Sequence, residues 1–427
     1  MSVKHKIILP FFLFFIGLYF AVAQTTEANI DTVFAENLAS IAFTKNGIPL
    51  SLPILDMKSG GSVALSFDDL DADIKRYTYQ IELCNRDWSP SQLEFSEYAE
   101  GFQDAKIIDY KPAYNTLIPY EHYSLVIPNQ DIRLTKSGNY LLKIFTDAGA
   151  KTPVLTRRFM VVEPVVNILT HVNPSTGEKY NTHQDFGFSL SYKNFNISNP
   201  LNEIRASILQ NGRWDCAKIS IPPQYVQGDQ IMYDAKDVAS FKAGKEFRFI
   251  DLRTYRSRTE RMRKIERGGE TWEIYLIPDV DRSRQVYIKY KDVNGGFIIA
   301  SYEEPDEPDL KGEYMKVHFA LLQNDSIENG VVYVVGKFCD WQLKEENKMT
   351  YYNSPKGGFY STTILMKQGV YNYQYVVKQK GVPTDFSRLE GDWYEAENEY
   401  TIFVYYRPFG ARWDRIVGVV TFVSSQL

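Results

Sequence analysis

Cysteine is scarce in this sequence: 427 residues include three, Cys84, Cys216 and Cys339, which lie far apart. Their odd number and wide spacing show neither a disulfide framework nor the paired spacing of a zinc site. We therefore expect buried thiols outside any disulfide, with at most one pair placed to form a bridge.

Signatures of catalysis and cofactor binding are also missing. The histidines that follow the N-terminal segment form no H-x-x-x-H or H-E-x-x-H pattern, and no phosphate-binding G-x-x-x-x-G-K or G-x-S-x-G motif occurs. The acidic stretch from Asp68 to Asp73 lacks the glycine and the distal glutamate of an EF-hand, so we interpret it as a solvated turn. We expect a protein that is not an enzyme, with no catalytic, metal or cofactor residues.

A carboxylate pair for glycoside hydrolysis is defined by distance in three dimensions, so the sequence does not exclude one. A cell-surface hydrolase therefore stays as a third hypothesis. The net charge of -5 gives no electrostatic reason to expect a nucleic-acid partner.

Long apolar runs are confined to the N-terminus. Lys4 and Lys6 precede an apolar run over 7–22, and Ala21-Val22-Ala23 stands before Gln24. This order is typical of a cleaved secretory signal, which we assign to 1–23 rather than to a membrane anchor, because the A-x-A site follows directly. Elsewhere the longest apolar stretch, 416–423, has the length of a strand. We expect an exported protein that does not span a membrane.

Aromatic residues, in contrast, are abundant, with 30 tyrosines and 26 phenylalanines. These side chains suit the half-buried surface of a sheet. In the segment "GNYLLKIFTD", Tyr140, Leu142 and Ile144 alternate with the residues of the opposite face, and similar segments recur between turn signals. The sequence predicts an all-β protein of tandem immunoglobulin-like β-sandwich domains, two to four in number from its length.

Turn and linker signals predict the domain boundaries. Glu163-Pro164 ends an N-terminal domain, 24–163, and a middle β-rich domain follows over 164–302. Within it, Asn294-Gly295-Gly296 predicts a hairpin turn between two apolar runs. The acidic, proline-containing segment 303–311 predicts a linker, and 312–427 forms a C-terminal sandwich.

Aromatic and arginine side chains in turn-like stretches are candidates for contact with a partner protein, because interfaces are enriched in both. The candidates are Trp88, Arg213, Trp214, Arg256, Arg258 and Trp393. For each tryptophan the alternative is packing or turn support inside its own domain. Arg256 and Arg258 belong to a basic run over 253–267, for which the alternative is a solvated hairpin or short helix.

The stretch "VVYVVGKFCDW" presents Phe338 and Trp341 after a strand and a glycine. From Val331 to Gly381 the chain resembles the carbohydrate-binding modules found beside branching enzymes and in kinase glycogen sensors, which implies an early-set sandwich for the C-terminal domain. Gln374 stands where that family has a sugar-binding lysine. We therefore expect a structural sandwich. The alternative is a periplasmic or secreted glycan-binding protein whose platform is Phe338, Trp341 and Gln374.

A wider resemblance covers nearly the whole chain after the signal. The blocks "YQIELCNRDWSPSQLEFSEYAEGF", "IIDYKPAYNT", "YEHYSLVIPN", "QNGRWD" and "EGDWYEAENEYTIFVYYR" occur in the order found in the plug protein family of the type IX secretion system. The resemblance implies a periplasmic, non-enzymatic protein without a small-molecule substrate. It further implies docking on the SprA-type outer-membrane β-barrel translocon, closure of its periplasmic opening, and release when cargo or a partner engages the channel.

Overall fold

The computed structural model describes residues 30–146, 152–172, 177–234, 238–355 and 357–426. Strands account for 47% of the described residues and helices for 6%, so the predicted all-β class is confirmed. The predicted signal peptide, 1–23, lies outside the described residues. Within the described residues, no helix has the length and apolar character needed to cross a membrane. No disulfide joins the three cysteines, which all lie in the described ranges.

The N-terminal domain is a sandwich of two main sheets. The inner N-terminal sheet has the order β1-β12-β11-β5-β7, with β3 also on β12, and the outer N-terminal sheet has the order β2-β4-β9-β8. A further pair, β10-β6, and the short helix α1 (Phe95–Tyr98) complete it. The strands are β1 (Thr32–Val33), β2 (Leu38–Lys45), β3 (Ile54–Asp56), β4 (Val63–Asp69), β5 (Thr78–Cys84), β6 (Ala99–Gly101), β7 (Ala105–Lys106), β8 (Asp109–Pro112), β9 (Glu121–Ile127), β10 (Ile132–Leu134), β11 (Gly138–Phe145) and β12 (Leu155–Val162).

The central domain begins with two sheets that share one core. Its outer sheet has the order β13-β14-β18-β17, with β19 on β14, and its inner sheet contains β15 and β16. Two short helices lie between these strands: a 3-10 turn at Gly177–Lys179 and α2 (Pro200–Glu203). The strands are β13 (Asn167–Val172), β14 (His183–Ser191), β15 (Ile204–Gln210), β16 (Arg213–Ile221), β17 (Tyr225–Gln227), β18 (Gln230–Tyr233) and β19 (Ser240–Lys242).

The third domain is also a two-sheet sandwich, with the orders β20-β29-β24 (and β26 on β29) and β21-β22-β25-β28-β27 (and β23 on β25). Its helices are α3 (Pro308–Lys311) and 3-10 turns at Lys337–Cys339 and Glu345–Asn347. The strands are β20 (Arg248–Asp251), β21 (Met262–Arg267), β22 (Trp272–Leu276), β23 (Asp279–Val280), β24 (Phe297–Ile299), β25 (Tyr314–Leu322), β26 (Gly330–Val335), β27 (Thr350–Tyr352), β28 (Phe359–Lys367) and β29 (Gly369–Gln379).

The last two strands, β30 (Glu399–Tyr406) and β31 (Arg415–Val423), return to the central domain. They extend its inner sheet to β16-β15-β30-β31, and a 3-10 turn at Ser424–Gln426 follows. The third domain, β20 to β29, is therefore an insertion in the central domain, and we call it the inserted domain.

The sheets therefore cut across the predicted segments 164–302 and 312–427. Strands β20 to β24 share the core of the inserted domain, whereas Tyr400, Ile402 and Val404 pack with the central strands. Strand periodicity shows which side chains are buried, but it does not show which distant strand supplies the hydrogen bonds. The sequence could therefore place the strands without placing their sheets.

Two local predictions also differ from the structure. The Asn294-Gly295-Gly296 turn is present, but the run before it pairs with no strand, and β24 pairs with β29. The predicted linker, 303–311, ends in α3 and packs against the N-terminal domain, where the Tyr114 amide donates to the Leu310 carbonyl over 3.2 Å.

Four sheets stack in the order outer N-terminal, inner N-terminal, inner central, outer central. The two inner sheets are buried on both faces. In β11, Tyr140, Leu142 and Ile144 point into the N-terminal core as the alternation predicts, while Leu141 points to the central domain. Strand β30 has the same double burial. This explains why both strands read as nearly continuous apolar runs.

Candidate functional site

Trp88 and Trp214, two predicted partner contacts, meet each other at the junction of the N-terminal and central domains. Their rings lie edge to face with centroids 4.8 Å apart, and the Arg158 guanidinium lies 4.7 Å above the Trp88 ring. The Trp88 side chain is 2% exposed. These tryptophans therefore pack between domains rather than within one, and Trp88 offers almost no surface to a partner.

Arg213 and Trp341 form the corresponding contact between the central and inserted domains. The Arg213 guanidinium lies 4.0 Å above the Trp341 ring and 4.3 Å above that of Phe386, and Asp215 pairs with the same arginine. Arg213 is buried, and Trp341 is 9% exposed. A guanidinium stacked on an aromatic face is a favourable contact in a desolvated junction.

The packing around Trp341 also tests whether Phe338, Trp341 and Gln374 can form the predicted glycan platform. Arg213 covers the Trp341 ring, Gln374 is buried on β29, and half-buried Phe338 packs against the core of the inserted domain near Tyr371. A sugar site needs an open aromatic face with polar groups around it. This arrangement is evidence against a sugar platform at Trp341.

A buried ion pair joins the N-terminal domain to the inserted domain. The Lys367 ammonium lies 2.6 Å from a carboxylate oxygen of Asp68, and Tyr314 donates its hydroxyl to the same oxygen over 2.7 Å. The other oxygen of Asp68 contacts His122. Burial lowers the pKa of Lys367, and the nearby Asp68 opposes that shift only in part. The interpretation of Asp68 as part of a solvated turn was therefore wrong, because this carboxylate sits inside an interdomain contact.

A second buried pair, Arg157 with Asp340, joins the same two domains at 2.7 Å. Burial alone would raise the pKa of Asp340, but Arg157 and then Lys337 outweigh it, so the pKa lies below its usual range. Asp340 is thus held as a carboxylate between two domains.

Ion pairs also join the N-terminal and central domains beside the tryptophans. Arg86 pairs with Asp414 at 2.8 Å, and Arg415 pairs at 2.6 Å with Glu163, at the end of the N-terminal domain. Each domain therefore contacts both of the others through buried or half-buried polar groups. Breaking one of these contacts leaves a poorly solvated charge, which is unfavourable.

Charged groups inside the inserted domain form a closed network. The Glu390 carboxylate accepts hydrogen bonds from Arg248 and Arg282, while Asp279 accepts from Arg248 and Arg261. Burial would raise the pKa of Glu390, yet the two arginines hold it below the usual range. Each carboxylate is neutralised in place, which is the arrangement of a structural ion network.

The acidic stretch near Asp68 includes the single group of residues, within the described ranges, that is close enough to share a metal ion: Asp69, Asp71 and Asp73. The Lys75 ammonium already pairs with all three. Burial would raise the pKa of Asp69, but hydrogen bonds led by that from Lys75 lower it overall. The lysine thus supplies the positive charge at this cluster.

Arg256 and Arg258, unlike the other predicted arginine, are exposed. They line an open groove in the inserted domain, together with Arg263 and Lys264 of the edge strand β21. This is the one place where the structure brings predicted contact residues together on a solvent-exposed surface.

Trp393, the sixth predicted contact, belongs to a row of stacked aromatic rings. Tyr287 stacks on Trp393 at 5.9 Å, and Tyr180 stacks on Tyr394 at the same distance. Beside this row, the segment that contains Tyr287 exposes 87% of Val286 and 72% of Ile288. The row lies where the chain passes back from the inserted to the central domain.

Comparisons with known proteins match this chain to a family model and to a solved structure. Residues 38–163 match the family model described as Type 9 secretion system plug protein 1st domain. A crystal structure of a hypothetical protein from Parabacteroides merdae ATCC 43184 is 32% identical and superposes with a TM-score of 0.86, covering 92% of this chain and 98% of that chain.

Other comparisons are remote. A biofilm-associated protein BSP domain is 10% identical, with a TM-score of 0.19 over 92% of this chain and 60% of that chain. No curated protein matches this chain.

Proposed function

This chain belongs to the plug protein family of the type IX secretion system, and from that premise we propose that it seals the periplasmic opening of the outer-membrane translocon. The partner is a β-barrel of the SprA type, and the plug leaves when cargo or another subunit engages the channel. The family match is the observation that carries this proposal. The protein then works in the periplasm, after removal of the signal 1–23.

The contacts between domains support a role that depends on shape. A seal must match its partner over a wide area, and it must also separate, so it needs a fixed surface without an obligate interface. Here the buried pairs Asp68–Lys367 and Arg157–Asp340 and the Trp88–Trp214 contact link the three domains. We therefore propose that the domains act together as one stopper and that no covalent chemistry is involved.

Three of the six predicted contacts remain available to the translocon: Arg256, Arg258 and half-buried Trp393. We propose that these meet the barrel. Buried Trp88 and Arg213 and half-buried Trp214 are instead used in contacts between domains.

Deleting the gene while keeping the translocon intact tests the proposal. Entry of large antibiotics that do not cross the outer membrane should increase and should return to normal when the gene is restored. The control is a strain that lacks both the protein and the barrel, which should stay impermeable. If cells without this protein, but with the barrel, remain impermeable, the sealing role is wrong.

Release is tested by co-purification of the protein with the barrel. We expect association in cells whose translocon is idle and a lower yield when a cargo protein is trapped in the channel. Equal yields in both states would contradict release by cargo, and absence from both would contradict docking.

A further inference from the structure

Six of the seven cations in the basic run over 253–267 fall into two sets in the structure, and the seventh, Arg267, lies over the Trp272 ring. Arg253 donates two hydrogen bonds to Asp251, of 2.9 and 2.6 Å, and Arg261 pairs with buried Asp279. These two arginines are neutralised by carboxylates and serve the fold of the inserted domain.

The second set faces the open groove, which has a volume of about 470 Å³. Lys264 pairs with Glu266, and Arg256 lies 4.0 Å from Glu303. For the other two cations, Arg258 and Arg263, no carboxylate lies within 4.0 Å in the described part of the chain. Arg258 instead donates to the Arg263 carbonyl over 3.1 Å, which ties the loop at 256–258 to strand β21.

The charge of this groove is opposite to that of the whole chain. The chain carries a net charge of -5, yet four cations line one groove, and only two of them, Lys264 and Arg256, have a carboxylate within 4.0 Å in the described part of the chain. Like charges held on a fixed loop and strand favour an anionic ligand, and arginine suits carboxylates because its planar fork donates two parallel hydrogen bonds.

We propose that this groove binds an acidic, extended segment of a partner protein. Strand β21 is the edge strand of its sheet and supplies Arg263, Lys264 and Ile265 to the lining, so the groove lies at an edge where an extended chain can add. A lipid surface fits less well. Ile265 is the single apolar residue in the lining and packs against the inserted-domain core, so no apolar side chain here is placed to enter a bilayer.

Binding of an acidic ligand in the groove does not depend on the proposed function. The identification of the translocon as the partner that carries this ligand does rest on the proposed function. The test therefore has two arms. The first measures binding of a fluorescent oligoglutamate peptide to the purified full-length chain. The second measures co-purification with the translocon.

In the first arm, the wild-type chain should bind the peptide, with affinity falling as salt rises because exposed charges are screened. The double variant Arg258→Gln/Arg263→Gln should bind about tenfold more weakly. The matched control is Lys106→Gln/Lys380→Gln, which removes two exposed cations elsewhere and should leave the affinity unchanged. Unfolding midpoints of both variants should lie close to that of the wild type, because all four substitutions are at exposed positions.

Vesicles of phosphatidylglycerol and inorganic phosphate are the competing probes. Binding to either, without binding to the peptide, would overturn the proposal, and so would an equal loss of peptide binding in the control variant.

In the second arm, the groove variant should lose the translocon as well as the peptide. If it keeps the translocon, the groove is not the docking site, although the sealing function stands. If the wild type binds peptide but never co-purifies with the barrel, the proposed function fails and the acidic-ligand site stands.

Discussion

The ammonium of Lys367 lies 2.6 Å from the carboxylate of Asp68, and each side chain is 1% exposed although the two belong to different domains. The pair forms where β28 of the inserted domain meets β4 of the outer N-terminal sheet. Two charges withdrawn from water in this way depend on each other.

Lys367→Met should therefore destabilise the protein strongly, by about 3 kcal/mol, because Asp68 stays buried without its main cation. Asp68→Asn in the same chain should recover part of this loss. Denaturant unfolding of the wild type, both single variants and the double variant gives the coupling energy between Asp68 and Lys367. Additive losses would show that the contact between these domains does not depend on the pair.

Substitution of the predicted contact tryptophans should affect the stability of the protein to different extents. Trp88→Ala removes a buried ring between domains and should lower the free energy of unfolding by about 3 kcal/mol or more. Trp393→Ala removes a half-buried ring at the surface and should cost clearly less. Thermal or denaturant unfolding compares the two, and an equal loss would contradict their assignment to interior and surface.

A pH dependence follows from Asp340, whose folded pKa lies below its usual value because Arg157 and Lys337 outweigh burial. A depressed pKa contributes stability above about pH 4, the ordinary aspartate range, and that stability is lost as the pH falls through the folded value. The free-energy difference between the wild type and Asp340→Asn should thus be constant from neutral pH to about pH 4 and shrink below it.

The control for this experiment is Asp325→Asn, a change on an exposed loop. Its free energy of unfolding at neutral pH should be almost the same as that of the wild type. If the free-energy difference between the wild type and Asp340→Asn already begins to fall near neutral pH, the lowered pKa of Asp340 is contradicted.

Gly295 offers a test of the packing around Trp341. Its φ of 79° is left-handed, and a Cβ added there would lie 2.5 Å from the Trp341 ring. Gly381 has a similar φ of 75° with nothing within 4 Å of such a Cβ. Gly381→Ala should cost about 1 kcal/mol from the backbone alone, and Gly295→Ala about 1–3 kcal/mol more. If denaturant unfolding gives the same loss of stability for both variants, the Trp341 ring is not held in place against Gly295.

The sequence was sufficient for the class of fold and for the faces of single strands. Alternation placed Tyr140, Leu142 and Ile144 in one core, as the structure confirms. It could not show that β30 pairs with β15, because the pattern of a strand carries no information about its neighbour.

The contacts between domains could not be predicted from the sequence for a similar reason. Asp68 and Lys367 are 299 residues apart, and an aspartate in an acidic stretch reads as solvated unless its partner is known. Their turn-like context makes Trp88 and Trp214 candidate contacts, but the sequence does not show that they pack against each other. The basic run over 253–267 indicates Arg256 and Arg258 as candidates, whereas the groove that they share is visible only in the fold.

Channel conductance tests the sealing role most directly. The purified translocon is placed in a planar lipid bilayer without cargo, and this protein is added on the periplasmic side. We predict that the conductance falls to near zero and recovers when the protein is washed out. An open channel whose conductance does not change at saturating protein would contradict the account.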